Sequence, residues 1–430
     1  MEVLLENVRS FCDKHRIPLR PLTLVVGENN SGKSTLLAVI SAVSQPFFPS
    51  SRPGLDEPPF DLSSYDSIAS YKGGRAGRAE FFAIGLTYTW RKEIHAAHAV
   101  YREEGGQPRL AEFTVTRADA EVRARRFDGR LSLEVLSGGE AIFKVDEPVT
   151  PNFELSTQRA YTTLLQKVFA SRKEQVLEKG VEKVIPLLNE RFQFMGTRRG
   201  DVLPGPSDAL APIRSKPLRT YDQTSDQFNP EGGHIPLVLA RIFQEEGDRE
   251  RAVHAALAEF GADSGLLGNL KVRTLGTKPT DPFQILVELA GPPRNLADVG
   301  YGVSQALPLI VESVLATPNR RLLVQQPEVH LHPRAQAALG TFFTKLVAAQ
   351  HKSFVIETHS DFLLDRVRQE VANRTIKSED VVILFLEREG VETAVHQITV
   401  DDSGNVLGAP SSYRRFLLEE EVRLVDRTSP

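Results

Sequence analysis

The sequence predicts an α/β fold: a mixed sheet whose parallel strands alternate with helices, carrying an antiparallel β subdomain and a helical insertion lobe. Three observations lead to that expectation. Near the N-terminus a short apolar, β-branched run, Leu22–Val26, meets a glycine-rich loop and then the helical spacing of "STLLAVISAV". Toward the other end, "RLLVQ" (321–325) and "SFVIE" (353–357) read as buried parallel strands. Between them, "FFAIGLTYTW", "AEFTVTR", "EVRARRF", "LSLEV" and "AIFKV" alternate apolar and polar residues as half-buried antiparallel strands do.

A chain of 430 residues exceeds one ordinary domain and predicts two or three lobes. Its 41% hydrophobic and 25% charged residues suit a folded chain and argue against wholesale disorder. A net charge of −4 neither requires nor excludes nucleic acid. The basic stretches Tyr71–Phe81 and Glu121–Arg130 read most simply as solvated strand faces or loops. The single cysteine, Cys12, allows no internal disulfide and suits a reducing compartment. Charges are scattered through the first residues, and no apolar run reaches the length of a membrane span. The expectation is a cytoplasmic chain with no membrane partner.

The strongest local signal is "LTLVVGENNSGKSTLLAVISAV", in which Gly27, Gly32, Lys33 and Ser34 satisfy G-x-x-x-x-G-K-[ST]. Glycines let consecutive backbone N–H groups turn toward one anion, and the helix N-terminus adds partial positive charge. Lys33 is expected to reach the β- and γ-phosphates of ATP, and the Ser34 hydroxyl to hold Mg²⁺. Asn30, Ser31 and Thr35 complete the loop.

A second glycine-rich stretch, "LSGGE" (136–140), lies between strand-type segments, so Gly138 and Gly139 read as a hairpin turn. "LADVGYGVSQALPLIVESVLA" (296–316) instead opens a helical run shortly before Gln325. With these segments in view, the chain resembles the bacterial AAA-family ATPases related to the OLD, SMC and RecF proteins, which have ABC-type heads. "GENNSGKST", "DVGYGVSQALP", "QQPEVHLHP" and "ETHSDFLL" stand in that family's order. The resemblance implies a P-loop NTPase of ABC-ATPase type whose head is split along the chain. Residues 1–150 would hold the phosphate loop and the antiparallel sheet, and 151–270 a mainly helical insertion lobe. Residues 271–430 would close the head with the signature-like segment, the Walker B-like strand and a switch histidine. Gly302 and Ser304 would then contact ATP held by an opposing subunit.

With Pro327 aligned on the family pattern, Gln325 stands where an acid usually holds Mg²⁺ through water. Gln326 stands where a glutamate usually polarises the attacking water. An amide oxygen still accepts a hydrogen bond, worth roughly 0.5–1.5 kcal/mol against about 1.5–3 for an ionised acceptor. It cannot take a proton, and a missing general base costs on the order of 10²–10⁴ in rate. Glu328 and Glu357 are the nearby carboxylates able to orient water, Glu328 slightly preferred. His359 is placed by the resemblance at the γ-phosphate. The catalytic candidates are therefore Gln326, Glu328 and His359, and the metal candidates Ser34 and Gln325. His330 and His332 form H-x-H, yet no cysteine or acid cluster accompanies them, so a zinc site is not expected.

Too few residues follow His359 for a TOPRIM nuclease, and Asp401 and Asp402 are adjacent where alternate spacing is needed. Nuclease chemistry is therefore expected only in a partner. The resemblance implies a slow ATPase that dimerises head to tail around ATP and controls a nuclease or toxin subunit in anti-phage defence, with DNA or a phage protein as trigger. A RecF-like DNA-repair ATPase and a non-hydrolysing ATP-gated scaffold are the alternatives. The glutamines are open to being native or introduced to trap ATP.

Overall fold

A computed structural model describes residues 1–150 apart from 47, 74–76 and 91, residues 153–156, and residues 206–415 apart from 223–224, 246, 279 and 290. The helical stretch expected over 159–192 lies outside these residues. The N-terminal part contributes β1 (Glu2–Glu6), β2 (His15–Pro18), β3 (Leu22–Gly27), α1 (Lys33–Ser44) and one turn of helix, α2 (Tyr65–Ile68). Next come β4 (Phe81–Trp90), β5 (Glu93–Glu104), β6 (Gln107–Arg117), β7 (Ala120–Phe127), β8 (Arg130–Ser137) and β9 (Glu140–Pro148). The middle of the chain holds β10 (Ser207–Leu210), α3 (Ile235–Glu245), α4 (Asp248–Ser264), β11 (Asn269–Thr274), β12 (Phe283–Glu288), β13 (Arg294–Asn295) and α5 (Tyr301–Leu315). It closes with β14 (Arg321–Gln325), α6 (Pro333–Gln350), β15 (Ser353–Glu357), α7 (Asp361–Ala372), β16 (Val381–Glu389), β17 (Glu392–Val400) and β18 (Val406–Leu407).

Seven strands form one mixed sheet in the order β10-β14-β15-β3-β16-β17-β18. Every pairing from β10 to β16 is parallel, and β17 and β18 add antiparallel strands. The N-terminal strand β3 is thus clasped between two strands from the far end of the chain. Eight antiparallel strands make the second sheet, β2-β1-β4-β5-β6-β7-β8-β9. Its last hairpin turns at Gly138 and Gly139, with φ of 59° and 86°. These are left-handed values that a tight two-residue turn requires, as expected for "LSGGE".

Period-two alternation divides the parallel strands between two cores. Val25, Leu323 and Val355 face α1 and the antiparallel sheet, sharing a core with Leu36, Val39 and Ile84. Leu24, Val324 and Ile356 face the other way, toward Leu257 of α4, Leu307 of α5 and Leu339 of α6. Complete burial of such side chains contributes about 1.5–3 kcal/mol each. By the same parity, Gln325 and Glu357 at the strand ends fall on the α1 side. Of the expected insertion lobe 151–270, β10 is the edge strand of the mixed sheet. Leu239 of α3 and Leu257 of α4 pack into the second core.

Helix α5 ends against a buried cation. The Lys352 ammonium donates to the carbonyl oxygens of Ser313, at 2.7 Å, and Val314. Those are last-turn acceptors that the helix cannot satisfy itself. Burial pushes the Lys352 ammonium down to about 8. The folded value lies below the unfolded one of about 10.4, so between them the unfolded chain binds more protons and stability rises with pH. Urea unfolding at pH 7.5 and 10 is expected to show wild type gaining roughly 2–3 kcal/mol relative to Lys352→Met across that interval. Parallel pH profiles of the two proteins would refute it.

Candidate functional site

The loop between β3 and α1 has the backbone its glycines predict. Gly27 has φ 145°, and a Cβ there would lie 2.1 Å from the Leu386 carbonyl oxygen. Gly32 has φ 96°, and a Cβ would meet the Phe11 ring at 2.8 Å. Gly32 is the N-cap of α1, with no side-chain cap and no acidic residue in the first turn. The unpartnered N–H groups and the helix dipole therefore face the cavity with net positive character. Lys33 is buried, and its ammonium donates to the carbonyls of Gly27 at 3.0 Å and Glu28 at 2.6 Å. Burial lowers its pKa, against the opposing pull of Glu357, Glu328 and Glu28. Asn30 is exposed with a left-handed φ of 63°, and Arg388 donates to its carbonyl at 3.2 Å. Ser31 is fully buried; its hydroxyl lies beneath Gly27, away from the cavity surface. Thr35 is mostly buried but reaches the cavity wall.

That cavity has a volume of about 1040 Å³. Lys33, Ser34, Gln326, Glu357 and His359 line one side, and Asp66, Tyr71 and Arg78 another. Arg78 lies over the Tyr71 ring, 5.3 Å from its centroid.

The two glutamines behave differently. Gln325 is only 6% exposed and lies behind Glu357, its in-register neighbour on β15, rather than on the cavity wall. Its amide Nε2 donates toward Glu357 Oε2 at 3.5 Å. Gln326 does line the cavity, in a left-handed conformation (φ 42°), with its N–H donating to the Glu357 carbonyl at 2.8 Å.

The two carboxylates also differ. Glu357 is 3% exposed, and Ser34 Oγ donates to its oxygens at 3.0 and 3.1 Å. Burial raises its pKa, while Ser34, Lys33 and both glutamines favour the charged form. Glu328 is absent from the cavity wall. Its Oε1 accepts the His359 N–H at 2.6 Å, and its Oε2 accepts the Thr358 hydroxyl at 2.9 Å. Glu328 therefore holds the turn that presents His359, although its pKa too is raised by burial. His359 is exposed to the cavity; burial of its ring and then the Lys33 charge lower its pKa. Ser34 and Glu357 together offer the hard oxygen donors that Mg²⁺ takes, so the residues present fit that ion.

The signature-like segment opens α5 as expected, with Gly300 as its N-cap. Tyr301 is 40% exposed at the helix tip. Ser304 is not: it is 4% exposed, and its hydroxyl donates to the Tyr301 carbonyl at 2.8 Å. Gly302 sits against the His330 carbonyl, 3.0 Å from where a Cβ would be. His332 caps α6, its Nδ1 accepting the Arg334 N–H at 3.3 Å, and His330 packs edge-on to Tyr301. Among the described residues, the three-residue group able to hold a metal is Glu387, Glu389 and His396, on the β16–β17 hairpin.

Sequence reasoning passed over Arg214. This residue is 1% exposed, and its guanidinium donates to the carbonyls of Gln325 at 3.2 Å, Gln326 at 3.4 Å and Pro212 at 3.2 Å. Its backbone N–H donates to Gln305 of α5 at 3.1 Å. Nothing in "LAPIRSKP" signals this, because apart from Pro212 its partners lie more than ninety positions away in the chain.

Two family models match the sequence. One, an AAA domain, covers residues 2–68. The other, described as an AAA domain, putative AbiEii toxin, Type IV TA system, covers residues 209–365. Among solved structures, the chain is similar to an Smc head bound to the C-winged helix domain of ScpA, at 11% identity over 94% of this chain and 98% of that one, with a TM-score of 0.45. It is also similar to the SMC head domain from Thermotoga maritima, at 12% identity over 93% of this chain and 98% of that one, with a TM-score of 0.41. No curated protein matches. The mixed sheet around a G-x-x-x-x-G-K-S loop defines an α/β P-loop NTPase of ABC-ATPase type. Its phosphate loop and its paired β14 and β15 lie within the stretches that the two AAA-domain models match. Among the described residues, no helix is long and apolar enough to cross a membrane.

Proposed function

We propose that this chain is a slow ATPase that closes head to tail on a second copy around ATP and Mg²⁺, and so controls a separate nuclease or toxin in bacterial anti-phage defence. The observation carrying the nucleotide part is the convergence of Lys33, Ser34, Gln326, Glu357 and His359 on one cavity. Backbone N–H groups at the start of α1 would hold the phosphates, with Lys33 swinging from the Gly27 and Glu28 carbonyls to reach them. Ser34 and Glu357 would hold Mg²⁺, which would supply neutralisation of phosphate charge. Gln326 would orient a water without accepting its proton, which makes turnover slow. His359, its pKa lowered, would be neutral near pH 7 and able to donate one hydrogen bond to the γ-phosphate.

Support for a defence role comes from the family description naming a putative AbiEii toxin and a Type IV TA system. A DNA-loading role through β7 finds less support. Arg123 pairs with Glu121, Arg125 with Glu112 at 2.9 Å, and Arg126 with Glu104, so these charges already have partners.

Calorimetry should find ATP binding abolished in Lys33→Ala; retained affinity would remove the loop from the site. Gln326→Glu is expected to raise steady-state hydrolysis by about 10²-fold. An unchanged rate would leave a nucleotide-gated scaffold as the better reading. Closure is tested at Gly300, where an added Cβ meets no atom within 4 Å, so Gly300→Arg leaves the monomer undisturbed. That variant should lose the nucleotide-dependent doubling of mass in light scattering, whereas Gly138→Asn in the hairpin turn should keep it. The opposite pattern would place the interface on the hairpin.

A further inference from the structure

The acid expected on the Walker B-like strand is missing at Gln325, yet a buried carboxylate lies beside it. We infer that the metal-anchoring carboxylate of this site has moved one strand sideways, from position 325 on β14 to Glu357 on β15, with Gln325 serving as its hydrogen-bond donor. This rests on the nucleotide-binding reading above and names the residue that completes the metal site within it.

Four observations carry the inference. First, Gln325 and Glu357 are paired in register on adjacent parallel strands, and strand parity aims both toward α1. Second, β15 is the neighbour of the phosphate-loop strand, with Glu357 opposite Val25, so it brings its end residue closer to the loop than β14 can. Third, the Glu357 oxygens stand 3.0 and 3.1 Å from Ser34 Oγ. Adjacent ligands of an octahedral Mg²⁺ with bonds of about 2.1 Å are separated by about 3.0 Å, so the two residues already have the spacing of one octahedral edge. Fourth, Glu357 lines the cavity and Gln325 does not.

The glutamine at 325 then follows from the glutamate at 357. Two carboxylates paired across adjacent strands, both nearly closed to solvent, would oppose each other's ionisation. An amide at 325 removes the repulsion and contributes an N–H toward Glu357.

The test is Mn²⁺ binding followed by electron paramagnetic resonance, with the protein saturated with β,γ-imido-ATP, alongside calorimetry of the same nucleotide in EDTA. Glu357→Gln is expected to weaken Mn²⁺ binding by at least about tenfold while leaving metal-free nucleotide affinity within about twofold. The exchanged pair Gln325→Glu/Glu357→Gln returns the acid to β14, off the cavity wall, and should stay as weak for Mn²⁺ as Glu357→Gln; full recovery would overturn the choice of position 357. Unchanged Mn²⁺ affinity in Glu357→Gln overturns the assignment. So does an equal loss of nucleotide affinity with and without metal, which would make Glu357 a support of the loop alone. If the wild-type protein binds no nucleotide even in EDTA, the nucleotide reading itself fails and this inference falls with it.

Discussion

The contact between Ser34 and Glu357 joins residues 323 positions apart, and the rest of the site depends on it. It exists only because β3, from the beginning of the chain, lies between β15 and β16 from its end. Parallel pairing fixes which residues share a level: Gln325, Glu357 and Val25 stand in one row across three strands. Strand ends in one row, with α1 starting just above them, put a carboxylate beside a helix N-terminus and a buried lysine. Burial alone disfavours the Glu357 charge. The Ser34 hydroxyl, Lys33 and the neighbouring amides offset that penalty, which is why this acid tolerates its position.

The turn after β14 is held as firmly. Left-handed backbone at a non-glycine residue costs about 1–2 kcal/mol, and Gln326 adopts it with φ 42°. Its N–H is bound to the Glu357 carbonyl and its own carbonyl to Arg214, so the strained residue is fixed from both sides. Arg214 is also clipped to Gln305 through its backbone. A hydrogen-bonded path therefore runs from α5, whose tip is exposed, to the turn that places Gln326 in the cavity. A buried guanidinium suits this duty because its planar fork serves several carbonyls at once.

How much could be read beforehand divides along the range of the interactions. The phosphate loop was legible because its requirements are local: Gly27 and Gly32 are forced by backbone angles and by Leu386 and Phe11 pressing close. The turn at Gly138 and Gly139 and the start of α5 at Gly300 were legible for the same reason. Roles set by register or helical phase were not. Ser304 sits in a helical opening that a motif can locate, but only packing decides that its hydroxyl turns inward to the Tyr301 carbonyl. Glu328 and Glu357 looked alike as carboxylates near a sheet edge; the structure separates them through partners on other strands. The four residues of β10 are too few to show a periodicity, so their place at the edge of the mixed sheet was hidden.

The two glutamines are therefore unequal departures from an acidic pair. On the inference above, position 325 would have an in-register substitute, since Glu357 places a carboxylate at the same level and beside Ser34. Position 326 would have none. The residue after Glu357 is Thr358, fully buried, whose hydroxyl is spent on Glu328. Glu328 itself has both oxygens committed, to that hydroxyl and to the His359 N–H, and stays off the cavity wall. Negative charge for a cation is thus retained beside Ser34, while Glu328 and Thr358, engaged with each other and with the His359 N–H, would offer no base to a water held by Gln326. In the proposed reading, affinity for a metal–nucleotide complex would depend on the first of these groups and proton removal on the second. A site built this way would separate holding a nucleotide from consuming it, and that separation would come from one strand's register against its neighbour.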